Sequence, residues 1–151
     1  MAITVTSPAT LFEMAELSGA HSRLMWAVAR EMWAKGSTFA IHDGDELVGL
    51  AGIYPVTPDC GEAWFNVRPE TARHMLAICR TIKLTLRSSG YREIVAVCTS
   101  DAGKRIAAAA GMQFFERTEM GEVWSCQPSL VAATTPRKSS SRPNSAEASP
   151  I

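Results

Sequence analysis

Apolar and polar residues alternate in several short segments of this chain, and apolar residues recur every three or four positions in others. Alternation of period two is typical of strands, and the longer spacing is typical of amphipathic helices. The pattern predicts a strand over residues 2–6, a helix opened by Ser7 and Pro8, a helix over 20–35, strands over 38–42, 47–56 and 61–67, a helix ending at Leu86, a strand over 93–98, a helix ending near residue 110, and short strands at 114–115 and 123–125.

The order of these segments predicts how they pair. Asp43 and Gly44 are a hairpin signal between the second and third strands, and the fourth strand follows after a short loop, so we expect an antiparallel meander. A helix then crosses over, which lets the strand over 93–98 lie parallel to the strand over 61–67. The predicted fold is α/β (α+β), a mixed and mainly antiparallel sheet with one parallel strand pair flanked by helices.

Composition changes near the C-terminus and is unremarkable elsewhere. Residues 1–126 are predicted to form one globular domain, whereas residues 127–151 are rich in Ser and Pro and predict a disordered tail. Lys plus Arg and Asp plus Glu number 15 each, so a nucleic-acid partner is not expected. The N-terminus shows no signal peptide and no segment is apolar enough for a membrane span, which favours a cytoplasmic protein.

The cysteines and histidines do not predict a metal centre. Four cysteines lie far apart, with no C-x-x-C pair and no histidine at zinc-ligand spacing. They are expected to be reduced, and Cys98 has no sequence signal of an activating histidine. His42 follows a strand next to the hairpin turn, where it is either a base or an ordinary surface histidine.

Three segments resemble the GCN5-related N-acetyltransferases, abbreviated GNAT. The segment Glu46-Leu47-Val48-Gly49-Leu50-Ala51-Gly52 is similar to the third strand of that family. The segment Val67-Arg68-Pro69-Glu70 is similar to the V-x-P-E that ends its acyl-CoA-contacting strand. Residues 100–112 fit its N-x-x-A-x-x-L-Y-x-x-x-G-F helix, with Ser100 at the Asn and Gly111-Met112 at the Gly-Phe. The resemblance covers about residues 2–126 and implies a parallel strand pair that splays apart.

The resemblance also implies a binding site for acetyl-CoA. The backbone of Phe65, Asn66 and Val67 would orient the pantetheine arm. The glycines of the family's phosphate loop are absent, because Arg73, Met75 and Ala77 stand in their places. A Cβ at each position crowds an approaching anion, so positive charge must compensate for the lost backbone contacts. Arg68, Arg73 and His74 are the residues expected to hold the pyrophosphate, unless they are only a solvated basic turn.

The implied chemistry is transfer of an acetyl group to an unknown amine or protein acceptor. Glu62 is the candidate general base, and its alternative is an ordinary carboxylate at the strand edge. Ala107 replaces the tyrosine that serves the family as general acid, which leaves Ser100 or water to protonate the thiolate. Arg80, Lys83 and Arg87 form a basic stripe that a solvated helix face explains.

A second resemblance gives the alternative function. The segment Ala63-Trp64-Phe65-Asn66-Val67 and the missing glycines are similar to internal virion protein A-like proteins of short-tailed bacteriophages. That resemblance implies a catalytically inactive protein in a bacterial host cytoplasm, which acts in virion assembly or binds a host protein.

Overall fold

The structure is a computed structural model and describes residues 2–128. Its strands and helices, in chain order, are β1 (Ile3–Thr6), α1 (Leu11–Ser18), α2 (Arg23–Lys35), β2 (Ser37–Asp43), β3 (Glu46–Pro55), β4 (Cys60–Val67), a 3₁₀ helix (Pro69–His74), α3 (Met75–Ser88), β5 (Glu93–Cys98), α4 (Asp101–Ala109), β6 (Gln113–Thr118) and β7 (Gly121–Cys126).

The strands form one seven-stranded sheet in the order β1-β2-β3-β4-β5-β7-β6. Strands β1 to β4 are antiparallel neighbours, and β4 pairs with β5 in parallel across the α3 crossover. β7 inserts between β5 and β6, antiparallel to both. The predicted mixed sheet with one parallel pair and flanking helices is therefore confirmed.

Helices cover the two faces of the sheet unequally. On one face, α1 and α2 pack over β2 and β3, where Met14, Ala29 and Leu50 share a buried cluster. On the other face, α3 and α4 pack over the centre of the sheet, where Leu86, Ile94 and Ala107 are buried together. Burial of these apolar faces supplies the main driving force for folding.

The start of α1 differs from the prediction. Thr10 caps the helix, and its hydroxyl accepts from the Glu13 backbone N–H while Glu13 reaches back to the Thr10 N–H. This reciprocal capping box satisfies two backbone donors, which Ser7 and Pro8 cannot do. Ser7 instead donates its hydroxyl to the Thr38 carbonyl, 2.8 Å away, and ties the end of β1 to β2.

The second helix also starts later than predicted. It begins at Arg23 rather than residue 20, because Ser22 is its N-cap and accepts from the Met25 N–H. The predicted basic turn over 68–75 is a 3₁₀ helix that leads directly into α3.

The described chain ends just after β7. The predicted tail over 127–151 lies almost entirely outside the described residues, so the boundary at residue 126 stays a prediction. Within residues 2–128, every helix is too short or too polar to cross a membrane.

Candidate functional site

The parallel strands β4 and β5 are paired along only part of their length. Their register contains Cys60 with Glu93, Gly61 with Ile94, and Glu62 with Val95. Beyond those pairs β4 continues to Val67 and β5 to Cys98 without pairing to each other. The facing backbone edge of β4 is thus free to hydrogen-bond an extended ligand, as a sheet edge does when a strand is added to it.

A groove opens where the two strands have parted. It encloses about 670 Å³ between the end of β4, the start of α3 and one side of α4. Most of its lining is apolar, and it carries two guanidinium groups. The lining residues are Val67, Arg68, Pro69, Thr71, Ala72, Met75, Leu76, Cys79, Ala102, Arg105, Ile106 and Ala109.

Two backbone N–H groups at the start of the 3₁₀ helix are already hydrogen-bonded within the chain. The Thr71 N–H donates to the Arg68 carbonyl at 3.0 Å, and the Thr71 hydroxyl donates to the same oxygen at 2.6 Å. The Arg68 N–H donates to the Val48 carbonyl at 2.9 Å. These amides are not available to an anion, as the amides of a glycine-rich phosphate loop are. An anion beside Arg68 and Thr71 is therefore bound by side chains rather than by these two amides.

Two arginines bring positive charge to the groove from opposite walls. Arg68 lies at the end of β4 and binds Glu16 of α1, with 3.1 Å between Nη2 and Oε1. Its side chain is 36% exposed, so this ion pair is weak and exchangeable. Arg105 lines the groove from α4 and has no ion-pair partner among residues 2–128. The sequence has no local signal for Arg105 in this site, because only the packing of α4 beside α3 brings it to the groove.

Arg73 and His74 lie outside the groove lining and bind Asp43. Asp43 Oδ2 is 2.8 Å from Arg73 Nη2 and 3.0 Å from His74 Nε2. Burial raises the pKa of Asp43, but the hydrogen bonds from Arg73 and His74 outweigh it and hold that pKa below its usual value. The expectation that Arg73 and His74 hold a pyrophosphate stays a prediction, and it requires them to leave Asp43.

Glu62 lies at the point where β4 and β5 part. By strand alternation Glu62 shares a face of β4 with Trp64 and Asn66. Trp64 packs on the buried cluster under α1 and α2, and the Asn66 side-chain amide donates to the Leu17 carbonyl of α1 at 3.1 Å. Glu62 is exposed, and the opposite β4 face carries Phe65 and Val67. Glu62 therefore faces the side of the sheet opposite α3, while Val67 lines the groove.

A tyrosine on the neighbouring strand connects this part of the sheet to α2. Tyr54 of β3 is in register with Glu62, and its hydroxyl donates to Glu31 of α2 at 3.0 Å. The hydrogen bond to Glu31 raises the pKa of Tyr54, so the phenol keeps its proton at neutral pH. The sequence does not predict this role for Tyr54, since nothing local to the strand indicates its contact with α2.

The remaining candidates have structural roles. Ser100 is the N-cap of α4, and its hydroxyl accepts from the Gly103 N–H at 3.1 Å. Ala107 and Cys98 are buried in the core, and burial raises the pKa of the Cys98 thiol. His42 binds Glu13, with 2.7 Å between Nε2 and Oε2. Within residues 2–128, no three His, Cys, Asp or Glu side chains are arranged to hold a metal.

Comparison by sequence and by structure gives different results. No family model and no curated protein matches the sequence. The fold is similar to an N-acetyltransferase from Staphylococcus aureus Mu50, with a TM-score of 0.65 and 10% identity over 85% of this chain and 99% of the other.

Two further solved structures show the same fold. A Desulfovibrio desulfuricans protein described as a GNAT-family acetyltransferase has a TM-score of 0.62 and 15% identity, over 84% of this chain and 99% of the other. Campylobacter jejuni N-acetyltransferase PseH, solved in complex with acetyl coenzyme A, has a TM-score of 0.58 and 8% identity, over 83% and 99%. The chain thus has the fold of the GNAT acetyltransferases.

Proposed function

We propose that this protein is an N-acyltransferase that moves an acetyl group from acetyl-CoA to an amine. One observation carries the proposal: β4 and β5 part after three residue pairs, and a groove of about 670 Å³ opens beyond the point of separation. A fold alone does not establish an activity, but the fit of this groove to the donor supports one.

The groove suits the chemistry of the pantetheine arm. The arm is extended and carries amide groups, which match the unpaired edge of β4 as an added strand would. Its methylene groups match the apolar lining from Val67, Met75 and Ile106. Arg68 and Arg105 supply the positive charge that the phosphates need, since a guanidinium binds phosphate through two parallel hydrogen bonds.

The reaction needs a neutral amine next to the thioester carbonyl. Glu62, at the point where the strands part, accepts the proton from the ammonium form directly or through one water. The amine nitrogen then forms a bond to the carbonyl carbon, the carbon–sulfur bond breaks, and the products are an amide and the CoA thiolate. Backbone N–H groups on the free edge of β4 stabilise the carbonyl oxygen as it gains charge.

The leaving thiolate must be protonated without the general acid that the fold family uses. Ala107 stands at the position where the fold family has a tyrosine as general acid. Ala107 is 1% exposed, and its methyl side chain cannot donate a proton. A general acid is worth about 10²–10⁴ in rate. Water or Ser100 takes that role in the proposal, so we expect a slow enzyme.

Calorimetric titration with CoA tests the donor site. We expect saturable heat, and we expect Arg68→Gln and Arg105→Gln each to weaken binding at least tenfold, because a hydrogen bond to a charged group is worth about 1.5–3 kcal/mol. Arg117→Gln is the matched control, since Arg117 of β6 binds Glu122 of β7 and does not line the groove. Absence of heat with millimolar CoA would contradict the donor site.

A non-catalytic protein with the same fold is the second candidate. Trp26 and Trp33 of α2 are 38% and 41% exposed, which is unusual for aromatic side chains and favours a protein-binding surface. Such a descendant would act in virion assembly or on a host protein. This non-catalytic candidate predicts that no amine is acetylated, even if the protein binds CoA.

A further inference from the structure

The outward face of α3 combines positive charge with exposed leucines. Leu76, Arg80, Lys83, Leu84 and Arg87 recur at spacings of three, four and seven residues, which places them on one side of the helix. That side lies opposite the buried residues Ile78, Cys79 and Leu86.

The basic side chains of this face lack ion-pair partners in the described part of the chain. None of Arg80, Lys83 and Arg87 forms an ion pair within residues 2–128, whereas Arg68, Arg73 and Lys104 all do. The helix Met75–Ser88 contains no Asp or Glu. Leu76 and Leu84 are 68% and 65% exposed in the same stripe. An acidic partner with apolar contacts complements this face, whereas a purely polyanionic partner leaves both leucines in water.

The face begins at the mouth of the groove. Leu76 belongs both to the stripe and to the groove lining. A partner on α3 is therefore in place to extend a flexible arm into the groove. Two arginines line the groove, whereas the Arg68 and Thr71 N–H groups at the start of the 3₁₀ helix donate to carbonyl oxygens of the chain. Two guanidinium groups are also enough for the single phosphodiester of a phosphopantetheine arm that is attached to a protein.

We propose that the outward face of α3 docks an acidic carrier protein, which presents the acyl group on a phosphopantetheine arm. The inference rests on the proposed function, because the arm must occupy the same groove. The chemistry is unchanged: the amine nitrogen bonds to the acyl carbon, the carbon–sulfur bond breaks, and the proton lost by the amine ends on the carrier's thiol.

The test compares a holo acyl carrier protein, which bears phosphopantetheine on a serine, with its apo form and with free CoA. We expect the holo form to bind at least tenfold more tightly than the apo form, since only it fills the groove. Arg80→Glu/Arg87→Glu should weaken holo-carrier binding by 10-fold or more, in the range of electrostatic steering, and change CoA affinity less than twofold.

The control is Arg23→Glu/Arg30→Glu on α2, which reverses two exposed arginines at the same seven-residue spacing. It should leave both affinities unchanged. Equal loss of carrier binding in the two variants, or tighter binding of duplex DNA than of carrier to α3, overturns the proposal. So does CoA binding with no carrier binding at 0.15 M salt, and that result leaves the acyltransferase proposal standing. Failure of CoA and holo carrier alike removes both.

Discussion

At the scale of single residues, Asp43 connects parts of the chain that are far apart in sequence. It lies at the end of β2, is only 8% exposed, and accepts from both Arg73 and His74 in the 3₁₀ helix that precedes α3. The contact fixes the β2–β3 hairpin against the helix that borders the groove. The sequence indicates only a turn residue at Asp43, because a contact across 30 positions leaves no local signal.

Asp43 should make stability depend on pH. Its pKa is lower in the folded chain, so its contribution is present above the ordinary pKa of about 3.9 and is lost as pH falls through the folded value. Asp43→Asn should lower the melting temperature at pH 6, and the difference from the unmodified chain should shrink toward zero at the acidic end. Thermal unfolding between pH 2.5 and 7 measures this.

Asp45→Asn is the matched control, since Asp45 is exposed in the same turn and forms no ion pair within residues 2–128. A melting-temperature difference for D43N that does not change with pH would contradict the assigned role of the carboxylate.

At the scale of the elements, capping decides where helices begin. Thr10, Ser22 and Ser100 each accept from a backbone N–H in the first turn that follows. The sequence contains these signals, and the prediction for α1 was wrong because Ser7-Pro8 also fits a helix start. Glu13 distinguishes the two possible starts of α1, because it lies three residues after Thr10 and completes the reciprocal capping pair.

Ser100 offers a way to separate a structural role from a chemical one. Ser100→Ala should destabilise the chain by about 0.5–2 kcal/mol through loss of the α4 cap. Ser100→Asn keeps the cap but has no hydroxyl, so it should preserve stability. Denaturant unfolding measures both variants.

The same two variants test the predicted general acid. If Ser100 protonates the leaving thiolate, S100N should lower kcat by about 10²–10⁴ while the fold stays intact. An unchanged kcat in S100N would leave Ser100 as a cap only and assign the proton to water.

At the scale of the whole molecule, the sheet is held by burial on both faces. Leu50 is 1% exposed in the cluster under α1 and α2, whereas Leu24 of α2 is 74% exposed. Leu50→Ala should cost about 2–5 kcal/mol, since it removes buried methyl groups and leaves a cavity. Leu24→Ala should change stability by less than about 0.5 kcal/mol. Equal losses in urea unfolding would contradict the assigned core.

Much of this architecture is predictable from the sequence. The meander, the crossover and the parallel pairing of β4 with β5 follow from periodicity, the Asp-Gly turn and the handedness of crossovers. The insertion of β7 between β5 and β6 does not, because the pairing of short C-terminal strands depends on long-range packing. For the same reason the groove's Arg105 was missed, while Val67 and Arg68 were found from a local motif.

The central claim is that an acyl-thioester arm lies in the groove where β4 and β5 part. Amide resonances of the ¹⁵N-labelled full chain, recorded during titration with CoA, test it most directly. The account predicts saturable shifts concentrated at Val67, Arg68, Met75 and Ile106, with α2 unperturbed. Shifts confined to α2, or none with millimolar CoA, would contradict it.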